Sequence, residues 1–574
     1  MFEISGKRQE ILDTVGNLLV MGGPGSGKTT IALFKAAHEI QSGNLSREQK
    51  ILFLSFARAT ISRVEQHAKG IIHEDVASSV EINTYHGFIW TILRSHGRLL
   101  IPHKLQLLPP HDASARLSSF APQDRDAEII RLFLEEGLLH FDLFAKNCTD
   151  LLTRSTALTK IIAAAYPIII LDEFQDTNQD EWALISHLGK HSTLIALADP
   201  EQRIYDFRGS DPKRIGQFIE EYNPVVFDFG TENNRSNGTD IVEFGNDLLA
   251  GRNKGKQYKD VAITRYTLMQ KNNQLIYLKL HLLERLKANK ENKDWSLAIL
   301  TPSNRMMLTI SEYIGKRHKM KNGGINPAIQ HDVAIDPFGP AIAAITLAKL
   351  LELASQQKCE MADFASALCE HILGRRSGGA PRGDQDLAKA ITDYIAAGDY
   401  SKTIRGKTRQ AITEECKSIA AKCNEIEFTG DVAADWVKVR DSLAAGTTEC
   451  VKTLHNDSMY IKLLHRGSML NASLGQLWRS NGNYSGAAEA VQSAITQEHF
   501  TASSKVWTGI NVMTIHKAKG KEFDEVIVYE GLHDGRIVVR NDLDKAKLNL
   551  RVAVTRAKSS AIILTPDSDP CPLL

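Results

Sequence analysis

The chain has 574 residues, which at roughly 100–200 residues per domain corresponds to about three to five compact units. Its 69 Lys and Arg against 68 Asp and Glu leave a formal net charge of +1. That balance excludes a polybasic coat for nucleic acid, so any anionic polymer must be held by local patches and shaped grooves. No run of about 18 uncharged apolar residues argues for a membrane span, and Met1-Phe2-Glu3-Ile4-Ser5-Gly6-Lys7-Arg8 carries no apolar signal core, so a cytoplasmic protein is expected.

The first strand-like run, Leu18–Met21, leads into Gly22-Gly23-Pro24-Gly25-Ser26-Gly27-Lys28-Thr29, which matches G-x-x-x-x-G-K-[ST], and a helix is expected from near Lys28. Glycines let backbone N–H groups approach phosphates, and the helix N-terminus adds partial positive charge. In this pattern Lys28 reaches the β- and γ-phosphates of a nucleoside triphosphate, and the Thr29 hydroxyl, with Thr30 beside it, faces Mg²⁺. The bland alternative is a glycine-rich turn without a ligand.

A second apolar run, Ile51–Leu54, follows. Residues 91–160 then carry loop signals at Pro102, Pro109, Pro110 and Pro122, with helical patterning through Ile129–Phe144. The next strand, Ile168–Leu171, ends in Asp172-Glu173-Phe174-Gln175-Asp176. Burying those carboxylates inside the strand would be costly, so they should emerge at its C-terminal edge, beside a phosphate loop. There Asp172 can hold Mg²⁺ and Glu173 can orient and deprotonate the attacking water.

Another run, Leu194–Leu197, precedes Tyr205, Phe207 and Arg208, a cluster that can stack bases while holding phosphate. Its alternative reading is a core aromatic at Phe207. Runs at Leu297–Leu300, Val526–Tyr529 and Ala561–Leu564 form a second set, and residues of about 336–500 read as mostly helical, for example Ile342–Leu353, Met361–Leu373 and Leu387–Ala397, with the glycine-rich Gly374–Gly379 between. Strands alternating with helices argue for parallel sheets. The expectation is an α/β protein of two P-loop-type, parallel-sheet cores, each with a mainly helical insertion: residues 1–90 and 161–225 as the first core, 91–160 its insertion, 226–335 and 500–574 the second core, and 336–499 its insertion.

Seven cysteines, Cys148, Cys359, Cys369, Cys416, Cys423, Cys450 and Cys571, form no C-x-x-C pair and read as scattered reduced thiols rather than a zinc or iron–sulfur site. The ending Cys571-Pro572-Leu573-Leu574 fits a prenylation box only superficially, because no polybasic run precedes it.

The motifs together resemble the UvrD/Rep/PcrA class of superfamily 1 DNA helicases. Asp172–Asp176 is similar to the family's Asp-Glu-Phe/Tyr-Gln-Asp, and the other blocks stand in family order. Gln9 resembles the adenine-reading glutamine. Phe53–Ala59 and Thr84-Tyr85-His86-Gly87-Phe88 resemble strand-contact motifs. Asp199–Gly209 resembles Gly-Asp-x-x-Gln-Ser-Ile-Tyr-x-Phe/Trp-Arg-Gly, Asn233–Ser236 resembles Asn-Tyr-Arg-Ser, Met513–Phe523 resembles Thr-Val/Ile-His-x-x-Lys-Gly-x-Glu-Phe, and Val552–Ala557 resembles Val-Ala-x-Thr-Arg-Ala.

That resemblance implies two RecA-like cores and an ATP- and Mg²⁺-dependent 3′-to-5′ translocase on single-stranded DNA and its duplex junctions. It implies Gln202 as the γ-phosphate sensor, Arg235 and Arg556 as arginine fingers from the second core, and Glu522 at the ribose. It implies strand contacts at Phe56, Arg58, Thr84, His86, Tyr205, Phe207, Arg208, Thr514 and His516. Outside such blocks, an arginine reads as a surface ion pair and these histidines as hydrogen-bonded structural groups. Rigid guanidinium forks can stabilise the charge that spreads over a phosphoryl transition state, and supplying them from a second core makes hydrolysis depend on cleft closure.

The departures are Asn234 for the adenine-stacking tyrosine, Ala198 for a glycine and Arg203 for a serine. No appended nuclease is expected, so a nuclease or repair partner would be a separate chain, as in anti-phage systems or DNA repair. The rival readings are a DNA-stimulated ATPase serving as sensor or partner subunit with little unwinding, and a P-loop NTPase unrelated to nucleic acid.

Overall fold

A computed structural model of the chain describes residues 6–23, 25–56, 78–117, 120–199, 211, 213–230, 236, 238–267, 274–292, 294–319, 325–334, 338–375, 380–399, 403–459, 468–500, 507–533, 535–539 and 542–574. The chain divides into two compact units. One comprises Met1–Thr91, Ala145–Ile335 and Ala502–Leu574; the other comprises Ile92–Phe144 and Asp336–Thr501.

The first unit holds two six-stranded parallel sheets, so the fold is α/β with RecA-like cores, as expected. Numbering only the strands of these sheets, the first contains β1 (Leu18–Met21), β2 (Ile51–Ser55), β3 (Val80–Thr84), β4 (Ile168–Leu171), β5 (Thr193–Ala198) and β6 (Val225–Asp228), in the order β3-β2-β4-β5-β1-β6. Both faces of the central strands are covered, which is why they read as unbroken apolar runs. Leu18, Val20, Phe53, Ile170, Ile195 and Leu197 pack on one face with Ile31 and Leu33 of the helix Lys28–Gln41. Their neighbours Leu54, Ile169, Leu171 and Leu194 meet Tyr85, Phe88, Leu184 and Leu188 on the other. The register aligns Met21 with Ala198 and Leu171 with Ala196, so β1, β5 and β4 end side by side at one carboxyl edge.

The second sheet contains β7 (Val261–Tyr266), β8 (Ser296–Thr301), β9 (Asp332–Val333), β10 (Gly509–Thr514), β11 (Phe523–Tyr529) and β12 (Ala557–Pro566), in the order β9-β10-β8-β11-β12-β7. Period-two alternation sorts its side chains. Ala298, Leu300, Val526 and Val528 face one core cluster, while Leu297, Ile299, Ile527 and Tyr529 face another.

The other unit is helical. Phe338–Ala354, Met361–Gly374 and Arg382–Ala397 enclose the three helical runs named from sequence, and Lys407–Asn424, Val432–Ser442, Glu449–Met459, Ser468–Asn481 and Ala487–Phe500 follow them. Cys359, Cys369, Cys416 and Cys423 are buried in this apolar core. The helix Pro110–Leu117 packs on Met361–Gly374, and Gln492 Nε2 donates to Asp112 Oδ2 at 2.6 Å.

The continuous helical pattern expected through Ile129–Phe144 is not what forms. The helix Arg125–Arg131 passes into a wider turn, Leu132–Glu136, and stops at Gly137, whose φ of 70° is left-handed. A two-residue strand, Leu138–Leu139, follows and pairs with Gln106–Leu107. A Cβ on Gly137 would stand 2.8 Å from the Lys104 carbonyl oxygen, so the close approach of that pairing requires glycine. Among the described residues, no helix is long and apolar enough to cross a membrane.

Candidate functional site

The carboxyl edge of the first sheet assembles the phosphate loop. Gly22 N–H donates to the Ala198 carbonyl at 3.2 Å, fixing the loop to β5. Gly25 and Gly27 have φ of 77° and 89°, the left-handed region that only glycine enters cheaply. A Cβ at Gly22 would lie 2.7 Å from Ser26 Oγ and 3.1 Å from Phe229 Cβ. Ser26 Oγ donates to Gly23 O at 2.9 Å, and Lys28 Nζ donates to Gly22 O at 2.6 Å and Gly23 O at 3.2 Å. Lys28, Thr29 and Thr30 open the helix Lys28–Gln41, half-buried at its positive end. Gln9, on the helix Lys7–Asp13, places its amide on Asp13, while Arg8 stacks over Phe229 with its guanidinium 5.4 Å from the ring centre. Pro24 lies outside the described residues.

The end of β4 supplies the carboxylates. Asp172 is buried, its N–H bonded to Leu54 O at 2.8 Å and its Oδ2 accepting from Ser55 Oγ at 3.0 Å. Glu173 has φ 53°, a left-handed conformation that non-glycine residues adopt at a cost and that tends to persist at functional sites. Its Oε2 accepts from Gln175 Nε2 at 2.7 Å, and Gln175 Oε1 accepts from the Asp199 N–H at 3.0 Å. One buried amide thereby ties the ends of β4 and β5.

The second sheet contributes basic groups to the same place. Lys519 Nζ pairs with Asp176 Oδ2 and stands 3.9 Å from Glu173 Oε2. Arg556 is buried, its Nε donating to Val552 O at 3.0 Å. Burial raises the Glu173 pKa, but the charges of Lys519 and Lys28, the Gln175 hydrogen bond and the charge of Arg556 outweigh it, so the carboxyl is held below its ordinary range. Lys28, Glu173 and Arg556, three of the residues singled out from sequence, therefore share one electrostatic site. Glu522 is half-buried in the turn before β11.

Of the residues expected to touch a polynucleotide, Phe56 directly follows β2 and stacks on Tyr85 with ring centres 4.3 Å apart. Thr84 is buried at the end of β3 and its Oγ1 accepts from Gly87 N–H at 2.8 Å; His86 is half-buried in the first turn of the helix Tyr85–His96. Thr514 ends β10, and His516 follows in the short helix Ile515–Ala518. Burial, with the charges of Lys545 and Lys519, lowers the His516 pKa, so its ring is neutral near neutral pH. Arg58, Gln202, Tyr205, Phe207, Arg208 and Arg235 lie outside the described residues, as does Asn234.

The geometry adds residues that sequence reasoning did not select. Ser55, Gln175, Asp176, Asp199 and Lys519 lie in or beside the recognised motifs, where spacing gives no reason to prefer them over their neighbours. Arg551 lies on the helix Leu543–Val554, where an arginine ordinarily reads as a solvated face.

Two family models match the chain. The UvrD/REP helicase N-terminal domain matches residues 5–132 and 123–223, and the UvrD-like helicase C-terminal domain matches residues 488–567. Together they span about half of the chain and include both sets of site-forming strand ends.

The chain belongs to the UvrD/Rep helicase family.

Among curated relatives, the ATP-dependent DNA helicase PcrA of Leuconostoc citreum is 22% identical over 367 residues, 54% of this chain and 48% of that protein. YjcD of Bacillus subtilis (strain 168) is 24% identical over 298 residues, 44% of this chain and 39% of the relative. The ATP-dependent DNA helicase PcrA of Staphylococcus epidermidis (strain ATCC 12228 / FDA PCI 1200) is 22% identical over 297 residues, 44% and 40% of the two chains. The matched region of this UvrD/Rep family member thus spans about half or less of the length of these relatives.

Proposed function

We propose that this chain is an ATP-driven motor that moves 3′-to-5′ along single-stranded DNA and separates duplex ahead of it. The observation that carries the reading is Glu173 at the end of β4, 3.9 Å from the second sheet's Lys519, with the charges of Lys519, Lys28 of the phosphate loop and Arg556 drawing its pKa down against the effect of burial. A carboxylate among three cations is suited to take a proton from water attacking a phosphoryl group whose added charge those cations offset.

The residues fit a nucleoside triphosphate. Left-handed Gly25 and Gly27 and the close approach at Gly22 give the loop the backbone shape of a phosphate cradle, and Lys28 stands at its rim. Thr29 and Asp172 present hard oxygen donors at the adjoining strand and helix ends, and would hold Mg²⁺, which supplies charge neutralisation at the phosphates. Gln9 would read the base and Glu522 the ribose, with Gln202 sensing the γ-phosphate and Arg235 acting as second finger beside Arg556. Gly23, Pro24, Gly25, Ser26, Gly27 and Thr30 complete the nucleotide contacts in this reading.

Along the polynucleotide, Phe56, Arg58, Thr84, His86, Tyr205, Phe207, Arg208, Thr514 and His516 would contact the strand. The Phe56–Tyr85 stack supports this part, since an aromatic platform at the sheet's carboxyl edge tolerates any base. Because Glu173 belongs to the first sheet and Lys519 and Arg556 to the second, turnover depends on how those sheets are apposed, which couples hydrolysis to stepping.

Strand displacement on duplexes carrying only a 3′ or only a 5′ single-stranded tail tests the proposal. It requires ATP-dependent separation of the 3′-tailed duplex in preference to the 5′-tailed one. DNA-stimulated ATP turnover without separation of either would favour a sensor or nuclease-partner role instead.

A further inference from the structure

Arg551 is an arginine with 2% of its surface exposed, on the last turn of the helix Leu543–Val554. A buried guanidinium is costly unless its charge and donors are met. Here its Nη1 lies 3.9 Å from Asp199 Oδ1, across from the first sheet, and its Nη2 reaches Asn246 Oδ1 at 3.3 Å. The side-chain shaft runs beneath Gly245, where a Cβ would meet Arg551 Cγ at 3.2 Å, and Nη2 stands 3.8 Å from where a Cβ on Gly23 would be. One guanidinium therefore sits against the phosphate loop, the end of β5 and the helix Ile241–Ala250.

Asp199 is the terminus of a relay. Its main-chain N–H donates to Gln175 Oε1 at 3.0 Å, and Gln175 Nε2 donates to Glu173 Oε2 at 2.7 Å. Asp199, Gln175 and Arg551 are all buried, so the relay has little room to rotate. We infer that Arg551 is a positioning residue for ATP turnover: it fixes Asp199 and, through Gln175, aims the Glu173 carboxylate. The inference rests on the ATPase reading above and adds a member to its machinery. Arg551 lies on the helix that joins β11 to β12 of the second sheet, so the aim of Glu173 is set partly from outside the first sheet. An arginine suits this task because its planar fork can hold Asp199 and Asn246 at once.

The test is steady-state ATP turnover with single-stranded DNA, together with the affinity of a fluorescent ATP analogue, in wild type, Arg551→Met, Asp199→Asn and the double variant. Arg551→Met should lower kcat by about ten- to a hundredfold, the cost of misplacing a reacting group by a fraction of an ångström to an ångström, while KM and analogue affinity move by less than about threefold. The double variant should be no slower than the slower single one, because both remove the same Arg551–Asp199 ion pair. Arg551→Lys, which keeps the charge facing Asp199, should recover part of the lost turnover. If Arg551→Met does not fold, Gln175→Met interrupts the relay at its middle and carries the same expected split. An Arg551→Met kcat equal to that of an ATP-hydrolysing wild type, or multiplicative losses in the double variant, would overturn the inference and leave the ATPase reading intact. A wild-type chain without ATP turnover would overturn both.

Discussion

Lys519 and Asp176 form a buried ion pair between the two sheets of the first unit: the ammonium donates to Asp176 Oδ2, with both side chains almost wholly excluded from solvent. The same ammonium stands 3.9 Å from Glu173 Oε2, so one lysine serves both the cohesion of the sheets and the charge of the site.

Removing Lys519 should be costly because it strands a buried carboxylate. Lys519→Met is expected to destabilise the unit by about 3–5 kcal/mol, read as a lower unfolding midpoint in denaturant. Combining it with Asp176→Leu should recover much of that loss, since the pair's main liability is a partner left alone. The single variant should also raise the Glu173 pKa towards its ordinary range, moving the acid limb of ATP turnover to higher pH.

At Gly27, alanine would have to adopt φ 89°, at a cost of about 1–2 kcal/mol. At Gly22, the added methyl would collide with Ser26 Oγ. Both variants should weaken ATP binding about tenfold or more, a difference of about 1.4 kcal/mol or more, while the helical unit keeps its unfolding transition. Titration with a fluorescent ATP analogue reads the first effect and circular dichroism on heating reads the second.

Phe56 stacks on Tyr85, whose phenol is buried and pushed well above its ordinary pKa by burial and by nearby carboxylates. Phe56→Ala should weaken single-strand binding by about 1–3 kcal/mol, the worth of one base-stacking platform. Fluorescence anisotropy of a labelled oligomer measures it.

In the helical unit, Asp435 accepts from Thr429 N–H, Gly430 N–H and the Tyr484 hydroxyl. Burial raises its pKa, but those donors and Lys438 outweigh it, and the net shift is downward. A lowered folded-state pKa gives stability that is present above the unfolded aspartate value of about 3.9 and is lost as pH falls through the folded value. Asp435→Asn should therefore cost about 1–3 kcal/mol near neutral pH, and its unfolding midpoint should converge on the wild type's as pH is taken below that range.

The sequence carries the central strands clearly, because Leu18–Met21 and Ile168–Leu171 are covered on both faces and admit only apolar side chains. The strands it conceals have a local reason. Val261–Tyr266 and Val225–Asp228 are edge strands with exposed side chains, and the run at Gly509–Thr514 is broken by Asn511, which is buried because its amide bonds the Thr508 and Gly509 carbonyls. The phosphate loop is legible because glycine spacing encodes backbone geometry directly. Lys519, Gln175 and Arg551 are not, because their importance lies in pairings between residues up to 343 positions apart, such as Lys519 with Asp176.

If Lys28 and Glu173 form an ATP-hydrolysing site driven by a DNA strand, losing either side chain must abolish strand-stimulated turnover. The direct measurement is ATP turnover by the wild-type chain, Lys28→Ala and Glu173→Gln, each with and without single-stranded DNA oligomers. Turnover should rise with added strand in the wild type and fall by at least about a hundredfold in both variants, with Glu173→Gln still binding nucleotide. Turnover indifferent to added DNA, or undiminished in either variant, would contradict such a site.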